Sequence, residues 1–274
     1  MKPILLSLTL LAAATPTLAA PSSDTIAAKG SPIVVTALVH ASTMLQYGPI
    51  TIYVDPIGAA TYTRKADAVL ITHSHGDHLD LPTIRKVLKP GGVLIGSRGT
   101  ADKLKQVAGA DLRILGYYEG TTLDPRKMDL RVSGFMPQPI HVRAIPAYNI
   151  KRGPEEGQKY HPKYIFDGYV LTMGGKHLYF AGDTENTPEM RDLKGIDAAF
   201  LPMNLPYTMT PDEAANAVKA FRPKVVYPYH FRSPFDKSSG NAEKFASDLK
   251  GSGVQVKILD WYPRAAVEKM MGEK

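Results

Sequence analysis

The length and composition of this chain indicate one large folded domain. Hydrophobic residues make up 44% and charged residues 22% of its 274 residues, which excludes a disordered chain. Cysteine is absent, so disulfides, thiolate catalysis and sulfur-based zinc sites are excluded, and any metal site must use nitrogen and oxygen ligands. The formal net charge of +7 favours anionic partners, although a generic basic surface explains the scattered Lys and Arg residues at least as well.

The N-terminal residues have the pattern of a targeting signal followed by a linker. An apolar run over residues 4–14 precedes the small residues Thr17-Leu18-Ala19-Ala20, a pattern typical of a secretory signal peptide. The run is shorter than the about 20 residues that a bilayer span needs, so an uncleaved membrane anchor ranks second. We expect a periplasmic or secreted protein, with a signal peptide at 1–19, a flexible leader at 20–31 and the folded domain at 32–274.

The first half of the domain is predicted to form an antiparallel meander and then an α/β layer. β-rich runs separated by turn residues indicate the meander, and an apolar run followed by helical spacing indicates a strand, a loop and a helix. The predicted elements are strands at 33–39, 43–47, 50–54 and 68–72, a helix at 81–88, a strand at 93–95 and a short helix at 100–107.

The second half is predicted to contain a second sheet. Its short β runs lie at 112–115, 121–123, 130–135 and 140–145. The stretch 151–163 is rich in Gly, Pro and charge without apolar periodicity, which predicts an exposed loop that can cover a site. Gly174-Gly175 predicts the turn of a hairpin. The remaining predicted elements are strands at 169–173, 177–180, 197–201, 225–229 and 254–259 and helices at 212–221 and 242–249.

Residues 72–80, Thr-His-Ser-His-Gly-Asp-His-Leu-Asp, form the densest group of metal ligands in the chain. His73 and His75 are two residues apart, so at the end of an extended strand their side chains lie on the same side and can share one ion. Beyond the turn at Gly76, Asp77 and His78 can face a second ion about 3.5 to 4 Å away. The stretch therefore predicts a metal site at a strand end.

Two ions need more ligands than this loop supplies. Asp183 and His230 are the predicted additional ligands, because each follows a predicted strand and the ends of such strands converge on one edge of the scaffold.

The motif His73-x-His75-x-Asp77-His78, with Gly182-Asp183-Thr184 and Tyr229-His230 downstream, resembles the metallo-β-lactamase superfamily of metal-dependent hydrolases. The resemblance implies an α/β fold, a four-layer αβ/βα sandwich of two mixed β-sheets flanked by helices, with a dinuclear site at one edge. It also implies the cofactor, Zn²⁺ as one or two ions, with Mn²⁺ or iron as alternatives. It implies that His73 and His75 bind the first metal and that Asp77, His78 and His230 bind the second. Asp183 would bridge the two metals.

Other segments resemble the superfamily branch that includes ascorbate-6-phosphate lactonase and the N-acylphosphatidylethanolamine-hydrolysing phospholipase D. They are Val39-His40-Ala41-Ser42, Val54-Asp55-Pro56, Ala147-Tyr148-Asn149, Tyr179-Phe180-Ala181-Gly182-Asp183-Thr184 and Tyr207-Thr208-Met209.

The sequence departs from the superfamily pattern at the third ligand of the first metal. Much of the superfamily has a histidine there, whereas this chain has Tyr148 and Asn149, and neither is a strong zinc ligand. Either Asn149 coordinates weakly or through water, or His161 reaches in from the loop, or the first site is weak and one ion suffices. We prefer the first or the third explanation. His141 begins its predicted strand at the opposite end and is expected to face elsewhere.

Several residues near the motif have two competing interpretations. His40 can be a residue that supports a metal ligand or a structural histidine, and neither interpretation is preferred. Asp55 can orient a ligand histidine, although a plain strand-ending turn is the preferred interpretation. His161 and Tyr207 are candidates for substrate binding. For His161, as for the neighbouring Arg152, Lys159 and Lys163, a solvated loop is the preferred interpretation, and His177 is expected to be exposed.

The predicted activity is hydrolysis by a metal-activated water, with Asp77 as a catalytic residue that accepts a proton as well as binding metal. The absence of cysteine favours a phosphoester or lactone over a β-lactam. The alternatives are a hydrolase of amides or β-lactams and a non-catalytic periplasmic metal- or ligand-binding protein. The expected partner is a small, anionic molecule rather than a nucleic acid, and no transmembrane span is expected after processing.

Overall fold

The structure is a computed structural model that describes residues 22–127, 138–232 and 241–272. Two seven-stranded sheets lie face to face, with strand orders β1-β2-β3-β4-β5-β6-β7 and β14-β13-β12-β11-β10-β9-β8. Helices cover the outer face of each sheet. This is the expected four-layer αβ/βα arrangement of two mixed sheets.

The first sheet is antiparallel at its start and parallel at its end. Strands β1 to β4 pair antiparallel, and β4 to β7 pair parallel. Its strands are β1 (Ser23–Ile26), β2 (Ile33–Val39), β3 (Ser42–Tyr47), β4 (Ile50–Val54), β5 (Ala66–Ile71), β6 (Leu88–Ser97) and β7 (Asp111–Leu115), and its helices are α1 (Leu81–Val87) and α2 (Ala101–Leu104).

The second sheet repeats the same plan. Strands β8 to β11 pair antiparallel and β11 to β14 pair parallel. Its strands are β8 (Gly120–Leu123), β9 (Ile140–Pro146), β10 (Asp167–Met173), β11 (Lys176–Phe180), β12 (Ala198–Pro202), β13 (Val225–Tyr229) and β14 (Gln255–Val256), and the helices that follow are α3 (Pro188–Arg191), α4 (Pro211–Phe221), α5 (Ala242–Asp248) and α6 (Arg264–Gly272).

The main core lies between the sheets and is closed by stacked aromatic rings. The ring of Phe200 on β12 stacks on Phe180 at 4.1 Å and on Tyr227 at 4.8 Å between centroids. Separate apolar clusters join the outer faces of the sheets to the helices, as with Val218 of α4 and Ile84 of α1. Such burial on both faces explains the continuous apolar runs of the central strands.

The strands bring the predicted ligands to one edge of the sandwich. β5, β11 and β13 end at Ile71, Phe180 and Tyr229, just before the ligand motifs. The hydroxyl of Tyr169 on β10 donates to the carbonyl of Ile71 at 2.9 Å and ties the two sheets together at this edge. Within the described residues, no helix is long and apolar enough to cross a bilayer.

Four expectations about secondary structure were wrong. Residues 23–26, assigned to a flexible leader, form β1, which pairs with β2 at the edge of the first sheet. The run 112–115 lies in the first sheet, because β7 pairs with β6. The closing strand is reduced to β14, and α6 was not predicted. Residues 1–21 and 130–135 lie outside the described part of the chain.

Candidate metal centre

The histidine-rich loop begins where β5 ends and leads into α1. The backbone N–H of His78 donates to the carbonyl of His75 at 3.1 Å, which turns the chain back on itself. Asp80 caps α1, and its carboxylate accepts a hydrogen bond from the hydroxyl of Thr83 at 2.6 Å. The loop is therefore fixed at both ends.

Asp183 arrives from the second sheet through a tight turn after β11. Gly182 has a φ of 64°, and a Cβ there would lie 3.0 Å from the Cβ of Thr72. Glycine is therefore required for both conformation and space. The N–H of Gly182 donates to the hydroxyl of Tyr229 at 2.9 Å, which places the turn beside β13.

The first cluster consists of His73, His75 and His161, whose ligand atoms lie within 4.8 Å of one another. His161 is 1% exposed, and its Nε2 lies 3.4 Å from Oδ2 of Asp183. The Nε2 atom of His73 lies 3.9 Å from the same oxygen. The preferred interpretation of His161 as part of a solvated loop was therefore wrong.

The second cluster consists of Asp77, His78 and His230, together with His40. The Nε2 atom of His230 lies 3.4 Å from Oδ2 of Asp77 and 3.4 Å from Oδ2 of Asp183. The Nε2 atom of His78 lies 3.4 Å from Oδ1 of Asp183. Asp183 thus lies between the two clusters.

Buried polar atoms at this centre lack hydrogen-bond partners. Within the described residues, the Nε2 atoms of His73, His78, His161 and His230 and Oδ1 of Asp183 have no hydrogen bond. Leaving so many polar atoms buried and unpaired is costly, and a bound cation would satisfy them all. Imidazole and carboxylate are the ligand types that zinc takes when sulfur is absent. The residues therefore fit a metal ion.

The protonation states also suit metal binding. Burial lowers the pKa of His161 to about 4, although Asp183 opposes the shift, and burial holds the pKa of His73 well below its usual range. Both rings are neutral at pH 7. Burial would raise the pKa of Asp183, but the histidines around it, His230 first, lower it, so this carboxylate is ionised.

Asp77 and His78 carry opposite charges, negative on Asp77 and positive on His78. Partial burial would raise the pKa of Asp77, but His78 and His230 hold it well below its usual range. Burial would lower the pKa of His78, but the carboxylates of Asp183 and Asp77 raise it to about 10. A ligand histidine must be deprotonated, so metal binding is expected to release the proton of His78.

Asp55 orients the ring of His78 through Nδ1, the nitrogen that faces away from the centre. Its Oδ2 accepts a hydrogen bond from Nδ1–H of His78 at 2.8 Å and another from the hydroxyl of Thr72 at 2.7 Å. Its Oδ1 accepts the backbone N–H of Thr72 at 2.8 Å. The preferred interpretation as a plain turn was wrong, because these bonds direct Nε2 of His78 toward the centre.

Asn149 contacts His161 and uses its polar atoms within the protein. Its Oδ1 accepts the backbone N–H of His161 at 2.8 Å and the ring Nδ1–H at 2.7 Å. Its Nδ2 donates to the carbonyl of Tyr207 at 2.8 Å and to Glu185 at 3.2 Å. The geometry corrects the preferred assignment of Asn149 as a weak ligand, since His161 occupies the place beside His73 and His75.

Glu185, which the sequence analysis missed, anchors the loop that carries His161. Its carboxylate accepts the backbone N–H groups of Ile150, Lys151 and Arg152 at 3.2, 3.0 and 2.7 Å. Burial would raise the pKa of Glu185, but these N–H donors, together with Asn149, lower it. The signal available in the sequence was a carboxylate two residues after Asp183.

Three basic side chains of this loop have polar partners within the protein. Arg152 donates to Glu213 at 2.7 Å and lies 3.4 Å from Glu185, while Lys163 lies 3.6 Å from Glu189. The amino group of Lys159 donates to the carbonyl of Lys151. These cations stabilise the loop, and the expectation of a solvated charged loop was wrong for Arg152.

His40 lies beside the second cluster. Its ring packs at a tilt against that of His230, with centroids 3.8 Å apart, and its Nε2 lies 3.1 Å from Oδ2 of Asp77. Burial and the neighbouring His230 lower the pKa of His40 to about 4, so the ring is neutral at pH 7. His40 therefore contacts the centre, as the interpretation of a residue that supports a ligand requires.

Three other residues discussed in the sequence analysis are not part of the two clusters. Tyr207 is 41% exposed and packs against Tyr160 at 4.9 Å between centroids, and its backbone carbonyl accepts a hydrogen bond from Asn149. His141 is exposed on β9 beside Thr122, as expected. His177 is partly buried at the hairpin and contacts a threonine on β10.

Several proteins that this chain resembles are named as metal-dependent hydrolases. A family model described as Beta-lactamase superfamily domain matches residues 48–231. A UPF0173 metal-dependent hydrolase of Deinococcus radiodurans is 31% identical over 199 residues, which cover 72% of this chain and 78% of the relative. A proposed metal-dependent hydrolase of Parabacteroides distasonis is 35% identical and has a TM-score of 0.73, with 89% of this chain and 100% of that chain covered.

A more distant structure shares the fold alone. A metallo hydrolase of Ignicoccus hospitalis is 22% identical, with a TM-score of 0.61, and the match covers 82% of this chain and 94% of that chain.

Proposed function

Because this chain belongs to the metallo-β-lactamase superfamily of metal-dependent hydrolases, we propose that it hydrolyses a phosphoester or lactone with one or two bound Zn²⁺ ions. The observation that carries this proposal is the convergence of buried, unpaired histidine nitrogens on Asp183. Histidine and carboxylate ligands suit zinc, and Mn²⁺ or iron are the alternatives.

The residues divide into two ligand sets. We assign His73, His75 and His161 to the first ion, Asp77, His78 and His230 to the second, and Asp183 to both. When bound, the ions supply Lewis acidity at the substrate and activate the attacking water.

Asp77 is the proposed proton acceptor. Its carboxylate is ionised, since His78 and His230 hold its pKa well below the usual range. Its side chain is 42% exposed, whereas that of Asp183 is 4% exposed. Asp77 is therefore the carboxylate that an incoming water and substrate can reach.

The net charge of the chain and the absence of cysteine ligands support the proposed substrate class. The chain has a formal charge of +7 and no cysteine, which favours anionic substrates over a thiolate-assisted β-lactam reaction. Arg152 and Lys163 of the loop are paired with carboxylates. We therefore expect the ions themselves, rather than these side chains, to provide most of the attraction for an anionic substrate.

A screen of metal-loaded protein tests the proposal. Bis(p-nitrophenyl) phosphate, p-nitrophenyl phosphate and a γ-lactone are the expected substrates, and nitrocefin and a thioester are the comparisons. Asp183→Asn is the matched control, since it removes a carboxylate at the centre and should abolish turnover. Loaded protein that opens none of these bonds, or only nitrocefin, would contradict the proposed substrate class.

We also propose that residues 1–19 direct export to the periplasm or outside the cell. The support is the apolar run and the small residues before Pro21. Cell fractionation and the mass of the mature protein test this. A full-length protein that stays in the cytoplasm would contradict it and would reopen a role with nucleic acids.

A further inference from the structure

The segment after β14 reaches the centre through Trp261 and Tyr262. The backbone N–H of His40 donates to the carbonyl of Trp261 at 2.8 Å. The hydroxyl of Tyr262, 222 residues later in the chain than His40, lies 3.3 Å from Nδ1 of that histidine. Trp261 is fully buried, so this segment forms part of the wall of the centre.

The partners of Tyr262 decide which way its proton points. Its oxygen accepts the backbone N–H of Arg232 at 2.8 Å. A phenol has one proton to donate. With this backbone donor facing the oxygen, the acceptor that the described residues place within reach of the proton is Nδ1 of His40.

The tautomer of His40 follows from this direction. A neutral imidazole carries one N–H and one acceptor nitrogen. If Nδ1 accepts from Tyr262, the proton must lie on Nε2, which is 3.1 Å from Oδ2 of Asp77. Nε2–H then donates to the carboxylate.

We propose that Tyr262 and His40 form a relay that positions Asp77, in which Tyr262 O–H donates to Nδ1 and His40 Nε2–H donates to Oδ2. His40 is thus a positioning residue and not a metal ligand. The relay holds Oδ2 of Asp77, which also lies 3.4 Å from Nε2 of His230. It would thereby fix the carboxylate that we propose as metal ligand and proton acceptor, and in this respect it rests on the proposed function.

The backbone conformation and hydrogen bonds of His40 hold it in one position. His40 has a φ of 60°, and the neighbouring His230 has a φ of 46°. Such left-handed conformations are unfavourable for residues other than glycine and cluster at functional sites. Backbone bonds hold His40 on both sides, because its carbonyl also accepts the N–H of His230 at 3.1 Å.

Paired substitutions at His40 separate positioning from ligation. The amide nitrogen of glutamine can occupy the place of Nε2–H and donate to Asp77, whereas leucine cannot. We expect His40→Gln to retain most of the kcat, and His40→Leu to lose on the order of 10- to 100-fold, the usual effect of removing a residue behind a ligand. Bound metal, measured by elemental analysis, should stay at the wild-type stoichiometry in both variants.

Tyr262→Phe tests the other half of the relay. Nitrogen-15 spectra of the zinc-loaded wild type should show the Nε2–H tautomer of His40, assigned by its loss in His40→Gln. In Tyr262→Phe the Nδ1–H tautomer should appear, and kcat should fall about 10-fold with KM unchanged. Tyr118→Phe, at a tyrosine that is 60% exposed, is the matched control and should change neither.

The results that overturn the relay are distinct from failure of the proposed function. Loss of one metal equivalent in both His40 variants would show that His40 is a ligand. An Nδ1–H tautomer in the wild type would reverse the direction of the bonds. If no substrate is hydrolysed, the proposed function fails, while the tautomer and the metal stoichiometry still decide the relay.

Discussion

The side-chain oxygen of Asn149 accepts hydrogen bonds from both the backbone N–H and the ring Nδ1–H of His161, at 2.8 and 2.7 Å. This pair of bonds fixes the tautomer of a ring whose pKa is about 4, because the ring proton must lie on Nδ1. The lone pair of Nε2 is then free and directed toward Asp183. Asn149, at the position where a ligand was expected, thus orients His161, which we propose as a ligand from the loop.

Replacing Asn149 with alanine should weaken the first metal site. The change removes the acceptor for the Nδ1–H of His161 and one link between the loop and Glu185. We expect a loss of about 10- to 100-fold in metal affinity, measured by competition with a chromogenic chelator. Asn216→Ala, on the exposed face of α4, is the matched control. Unchanged affinity in Asn149→Ala would show that His161 does not depend on this bond.

Removing metal should destabilise the fold. Metal bound to the native state and not to the unfolded chain adds about 2.7 kcal/mol per site to the free energy of unfolding at 100 times Kd. Protein treated with EDTA should therefore melt at a lower temperature than zinc-loaded protein, and Asp183→Asn should lose most of this difference. Equal melting temperatures with and without metal would contradict a metal centre here.

The buried carboxyl of Asp167 should make stability depend on pH. Burial raises the pKa of Asp167 from 3.8 to about 7, although Arg98 opposes the shift. In the unfolded chain the group ionises near 3.8, so its contribution to stability is full below that pH and is lost as pH rises toward 7.

Asp167→Asn removes this titration. The variant should be more stable than the wild type at pH 8, and the difference should shrink as pH falls to 4, as measured by urea unfolding at saturating zinc. Asp192→Asn, at an exposed aspartate, controls for the change of charge. A variant that is less stable than the wild type at pH 8 would mean that the carboxylate is paired in the native state.

Phe200 is the central ring of the core between the sheets. It is fully buried and stacks on both Phe180 and Tyr227. Phe200→Ala should lower the free energy of unfolding by about 3 to 5 kcal/mol, since it removes apolar burial and leaves a cavity. Phe200→Leu should cost less, and both losses can be measured by urea titration. A loss under about 1 kcal/mol for alanine would show that the core refills the space.

Elements with a strong local pattern were predictable. The meander β2 to β4, the hairpin β10 to β11 and the helix α4 were predicted within a few residues, because turn glycines, a capping threonine and continuous apolar runs act over short distances. The four-residue strand β1 was missed, because its sequence Ser-Asp-Thr-Ile has little apolar character and its conformation depends on pairing with β2.

The candidate ligands from one loop were evident in the sequence, since His73, His75, Asp77 and His78 are neighbours and need only a strand end and a turn to converge. The place of His161 was decided by tertiary structure. The carboxylate of Glu185 and the amide of Asn149 bind the backbone of a loop that has no periodic pattern, and these hydrogen bonds fold His161 back to Asp183. No local signal encodes such contacts, because they exist only when β9, β11 and the loop are already side by side.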